Sequence, residues 1–220
     1  SVPVGAALPS DQILDIEQRE GELIGTSAAR GNSPDGVLTV LGAPLGGSDG
    51  SGRVLVFADS PASGQFAAGS KMQLIARLQS AINEISTGKS SKALLLSSEC
   101  SATSVRQGQA VALRGDGGQI AVGAPCGANG RVTLFNRPAG GWSSFDSRTS
   151  PAIPVLAPSL PFGGLTGEFG YALAYSPQGH LVVGAPGSST GVSGSGAVFV
   201  YTNNGTSLNL TASVTSSNAR

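Results

Sequence analysis

The chain has 220 residues, with 13 Lys and Arg against 13 Asp and Glu, and glycine is abundant at 33 residues. Balanced, sparse charge gives no bulk pull towards nucleic acid or an anionic membrane surface. No apolar stretch approaches the roughly 18 residues that a membrane span needs, and Ser1 opens without the basic-then-apolar segment of a signal peptide.

Short β-branched runs separated by Gly-rich turns predict many short strands. Three stretches repeat one order. They are "GVLTVLGAPLGGSDGSGRVLVF" at 36–57, "GGQIAVGAPCGANGRVTLF" at 117–135 and "GHLVVGAPGSSTGVSGSGAVFVY" at 179–201. In each, a small-residue strand comes first: Thr26 to Ala29, Ala110 to Leu113, Tyr171 to Tyr175. A tight turn follows, then an apolar strand ending in Gly-Ala-Pro at Gly42, Gly123 and Gly184. A Gly/Ser loop leads to a third strand: Arg53 to Phe57, Arg131 to Phe135, Ala197 to Tyr201. A weaker fourth strand closes the unit, opened by Trp142 in the second copy and by Leu208 in the third. The second and third strands are apolar at nearly every position, so both of their faces are expected to be covered.

Between the first two copies, Leu74, Ile75, Leu78, Ala81, Ile82 and Ile85 fall on one helical stripe within Lys71 to Thr87. Ser70 and Gln73 form a capping box and Gly88 can end the helix. The expectation is an inserted amphipathic helix, packed on the protein's own surface or docking a partner. Residues 151–161, "PAIPVLAPSLP", read as a linker or edge strand.

These units resemble FG-GAP repeats, the blades of the integrin α-chain propeller. The third copy carries the resemblance best, with Phe169-Gly170 before its strands and Gly184-Ala185-Pro186 after the second. Gln107-Gly108 and Ile24-Gly25 take the place of Phe-Gly in the other copies. The resemblance implies an all-β fold of β-propeller blades, three four-stranded repeats with one inserted helix. The expected layout is a first blade with the N-terminal segment over 1–65, a helical insertion over 66–100, a second blade over 101–150, and a third with the start of a further repeat over 151–220. Many blades of this family bind Ca²⁺ through alternating Asp and Asn in the first hairpin. Here those turns hold Asn32 and Asp35, then Asp116, then no carboxylate. That is too few oxygens for the about 6–8 ligands of Ca²⁺, which places the chain in the metal-free branch, with no cofactor.

Closed propellers use about 4–8 blades, so three copies leave a ring to be completed by further blades of a longer chain or by other protein chains. The expected function is an extracellular or cell-surface, non-enzymatic module for adhesion, scaffolding or assembly. Its partners would be proteins or glycans, with no nucleic acid and no membrane insertion. The alternative is an accessory propeller of a larger secreted enzyme, as in the glycosylphosphatidylinositol-specific phospholipase D family.

Candidate sites are few. Cys100 and Cys126 are either buried thiols or a disulfide. Two glycosylation sequons, at Asn204 and Asn209, favour a secreted context and hence the disulfide. Arg114-Gly115-Asp116 spells the integrin-recognition tripeptide, yet Asp and Gly also suit a turn for conformational reasons alone. His180 sits at a turn without partners at metal-ligand spacing. Gly187-Ser188-Ser189-Thr190-Gly191 matches a nucleophile-elbow string, but between strands and not in the strand-to-helix context that string requires.

Overall fold

A computed structural model describes residues 21–46, 50–59, 72–78, 105–126, 130–146, 150, 152–156, 166–188, 195–203 and 208–215. They form three antiparallel four-stranded sheets. The first holds β1 (Ser27–Ser33), β2 (Gly36–Ala43), β3 (Arg53–Asp59) and β4 (Met72–Leu78), hydrogen-bonded in chain order. The second holds β5 (Ala110–Leu113), β6 (Gln119–Ala124), β7 (Arg131–Asn136) and β8 (Ala152–Leu156), again in order. A short ribbon pairs β9 (Thr166–Gly167) with β12 (Gly187–Ser188). The third sheet runs β10 (Ala172–Tyr175), β11 (Leu181–Ala185), β13 (Ala197–Asn203) and β14 (Leu208–Thr215).

The hairpin turns follow from local chemistry. Between β1 and β2 the Ser33 hydroxyl accepts from Asp35 N at 3.0 Å and donates to Gly36 O at 2.9 Å. Between β10 and β11, Ser176 does similar work, its oxygen accepting from His180 N at 3.1 Å. Such side-chain bonds to nearby backbone are why Ser recurs in turns.

The sheets stack face on face, which explains the continuous apolar runs. One core joins Leu38, Val40, Val54 and Val56 of the first sheet to Val111, Ile120, Val122 and Phe135 of the second. Another joins Ala121, Val132 and Leu134 of the second to Leu181, Val183, Phe199 and Tyr201 of the third. Strand β6, between the two, is buried along its whole length. The first strands adjoin in series, β1 against β5 and β5 against β10.

Two expectations about the outer strands need correction. Met72–Leu78, expected to begin the helix over 71–87, is strand β4, paired with β3. Ala76 and Leu78 are buried in the core shared with the second sheet while Gln73 and Arg77 are exposed, and a bulge opposite Val56 and Phe57 turns Ile75 to that core and places Leu74 on the face of Phe57. The strand satisfies the outer edge of β3, whose N–H and C=O groups would otherwise be unpaired. Residues 79–87 of the expected helix lie outside the described residues. The second correction concerns Trp142. It does not open a strand but sits in a 3-10 turn, Trp142–Ser144, and the fourth strand of that sheet is β8. The Pro-rich segment is therefore an edge strand over Ala152–Leu156, where Pro154 is tolerated because only an edge can spare an N–H. The first sheet thus extends beyond residue 65 and the second beyond residue 150.

Candidate functional site

A three-residue turn precedes each sheet, and it builds the contacts between sheets. Leu23-Ile24-Gly25, Arg106-Gln107-Gly108 and Glu168-Phe169-Gly170 share one backbone path. The first residue has φ of 55°, 52° and 66°, and the glycine φ of 89°, 91° and 91°. A hydrogen bond closes each turn, as from Gln109 N to Arg106 O at 3.1 Å and from Tyr171 N to Glu168 O at 3.0 Å. Glycine is the residue that takes the positive φ at the third position of such a turn without cost.

Each of the last two turns seats on the preceding sheet. A Cβ built on Gly42 would collide with Gly108 O, and one on Gly123 with Gly170 O. Gly42 and Gly123 are therefore glycine because the next sheet's turn lies on them. Single parallel bridges join Gly52 to Gln107 and Gly130 to Phe169. Gln107 N donates to Ser51 O at 2.9 Å, and the Phe169 ring is fully buried against Phe199.

A polar clamp joins the β1–β2 hairpin of the first sheet to the connection between β7 and β8 of the second. Arg137 donates to both oxygens of Asp35, Nε to Oδ2 at 2.8 Å and Nη2 to Oδ1 at 2.7 Å. Trp142 N also donates to Asp35 at 3.0 Å, and its indole Nε1 donates to Gly117 O at 2.9 Å. The Arg137 hydrogen bonds hold the Asp35 carboxyl below its ordinary value, against the opposing effect of burial, and the Trp142 N–H adds to the lowering. Trp142 is fully buried. Neither residue stood out in the sequence as part of an interface; the only signal was Trp142 as the sole tryptophan.

Asp116 holds the same hairpin position in the second sheet but is tied differently. Its own Arg114 donates Nε and Nη2 to its two oxygens, each at 2.8 Å, and Gly118 N donates to Oδ1 at 2.9 Å. These bonds, the Arg114 ones foremost, lower its pKa. The tripeptide thus folds into a turn in which its two charges engage each other. Nearby, Tyr175 donates to Gln119 Oε1 at 2.6 Å, and burial raises its hydroxyl pKa. Burial likewise pushes Tyr201 up to about 12.

The other sequence candidates are dispersed. Cys126 is buried just after its Gly-Ala-Pro, and no free cysteine occurs among the described residues. Cys100 lies outside them, as does Asn204. Asn209 is exposed on β14. His180 is half-buried in its hairpin. Gly187 and Ser188 form strand β12, with Ser188 fully buried, and Ser189 to Gly191 lie outside the described residues. No group of three or more His, Cys, Asp or Glu side chains fit to hold a metal occurs among the described residues; Asn32 is exposed on β1.

The outward face of the third sheet is open to solvent. A shallow hollow of about 550 Å³ lies there, lined by Tyr171, Gly184, Pro186, Ser195, Val198 and Val214. Tyr171 is 48% exposed, Val198 38% and Val214 65%. No protein-family model and no curated protein matches the chain.

Proposed function

We propose that the chain is an extracellular, non-enzymatic module of β-propeller blades, used for adhesion, scaffolding or protein assembly. One observation carries the reading: successive sheets meet through the same contact, a Gly-Ala-Pro glycine under the next sheet's turn, with first strands side by side. Repetition of one interface is how a fold grows by adding units. First strands that crowd together support a fan about a common axis. The large apolar face on the third sheet and the exposed turns supply surface for protein partners.

An experimental structure ordering the whole chain tests the fold part. The three sheets should radiate from one axis with β1, β5 and β10 innermost; sheets stacked without such an axis would contradict a propeller. For the extracellular part, the chain secreted from a glycosylating cell should carry a glycan on Asn209, removable by an N-glycosidase. An unmodified Asn209 would count against it.

A further inference from the structure

Deepening that reading, and resting on it, we propose that the outward face of the third sheet is a docking site for one further unit of this same repeat. The unit would enter by its Xaa-Gly turn, glycine seated on Gly184 and the preceding residue bridged to Gly196.

The two internal interfaces define what such a face receives. In each, a sheet offers a Gly-Ala-Pro glycine, a glycine of positive φ before its third strand, and an apolar pair on that strand. These are Gly42, Gly52, Val54 and Val56 in the first sheet, and Gly123, Gly130, Val132 and Leu134 in the second. All four of the apolar residues are at most 1% exposed. The incoming turn packs on the first glycine and bridges to the second.

The third sheet repeats every one of these features with no described residue on top. Gly184, Gly196, Val198 and Val200 take the equivalent places. Among the described residues, the nearest atoms to a Cβ on Gly184 belong to Ala172 of its own sheet, and those to a Cβ on Gly196 to Pro186 and Ala185 of its own loop. Ser195 stands where Ser51 stands in the first sheet. Ser51 O accepts Gln107 N, a main-chain bond that an incoming turn would repeat at Ser195 O; beside it the Ser195 hydroxyl is buried without a hydrogen-bond partner. A buried polar atom left unpaired is costly, and an incoming turn would bring backbone polar groups to this rim.

The opposite end of the stack identifies the occupant further. On the far face of the first sheet Leu55 and Phe57 are fully buried. These take the places of Phe199 and Tyr201, by which the third unit packs on the second, and they are already covered, so a second copy of the chain has no free Leu55 and Phe57 to offer head to tail, although its Leu23 turn is exposed. The occupant is an added unit whose leading turn ends in glycine with φ near that of Gly108 and Gly170.

The test fuses a second copy of residues 157–220 after Arg220 of the full chain and compares hydroxyl-radical oxidation with the unfused protein. Docking predicts a several-fold loss of oxidation at Tyr171, Val198 and Val214 of the original third unit, with Leu23 at the other end unchanged. Val198→Glu should restore Tyr171 oxidation in the fused chain while leaving the melting temperature of the unfused chain unaltered. Unchanged oxidation on fusion would overturn the proposal. So would protection of the unfused chain that grows with its concentration, because copies of the chain would then be covering the face. Either result would stand apart from the propeller reading, which falls only if the sheets share no axis.

Discussion

The second and third sheets carry the same pattern and meet different fates. Val132 and Leu134 of β7 are buried beneath the third sheet, while Val198, equivalent to Val132, is 38% exposed. Strand β6 is buried at every residue, while β11 alternates between buried and half-buried. Composition does not distinguish them; position in the stack does. A strand apolar on both sides is written for two neighbours, and the third sheet has one among the described residues.

The contrast can be broken most sharply at its aromatics. Trp142→Ala empties a buried site between the first two sheets and should cost about 3–5 kcal/mol. Tyr171→Ala on the open face should stay within about 0.5 kcal/mol. Urea denaturation of both variants checks this, and equal losses would remove the distinction.

A covalent contrast comes next. Cys126 follows the Gly-Ala-Pro of the second sheet, where the third has Gly187. We propose its pairing with Cys100, which would contribute about 3–4 kcal/mol in the chain-entropy view. Thiol titration of the unreduced native protein should find no free thiol; two would sink the pairing.

The hairpin aspartates differ in the same sense. Asp35 is clamped from the neighbouring sheet, and Asp35→Asn should cost about 1.5–3 kcal/mol, the range for hydrogen bonds to a charged group. Asp116, 61% exposed and paired within its own turn, should lose under about 1 kcal/mol as Asp116→Asn. Both carboxyls have folded pKa values lowered from 3.8. Their contribution is therefore full above that unfolded value and is lost as pH falls through the lower folded values. The parent protein should lose stability over this acid range more steeply than Asp35→Asn, and identical acid limbs would show that the clamp contributes nothing. The smallest effect is expected from calcium. Both carboxylates are already engaged by arginine, so excess chelator should leave the melting temperature unchanged, and a fall of several degrees would contradict this.

The inner three strands of each sheet were legible because their cues are local: β-branched runs, Ser and Gly turns, and Gly-Ala-Pro. Among the outer strands, β14 opens at Leu208 as expected and β8 is the edge strand that 151–161 allowed, but β4 and the place of Trp142 were not legible. In β4 the residues Leu74, Ile75 and Leu78 satisfy a helical stripe, a bulge at Ile75 breaks the alternation that would mark a strand, and the unpaired edge of β3 decides between the two. Trp142 was misplaced for a related reason. Gly141, at φ 88°, turns the chain so that the indole enters the interface, and its partners Asp35 and Gly117 are distant in sequence. The repeated turn was visible only as Phe-Gly and its substitutes. Its positive φ at Leu23, Arg106 and Glu168 has no side-chain cue.

The central claim is that Gly42 and Gly123 are glycine because a sheet lies on them, while Gly184 awaits one. Gly42→Ala, Gly123→Ala and Gly184→Ala, measured side by side by urea denaturation, test it directly. The first two should each lose about 1–3 kcal/mol or more, the cost of forcing a methyl into a filled interface, and Gly184→Ala should lose far less. Equal losses at all three positions would contradict the account.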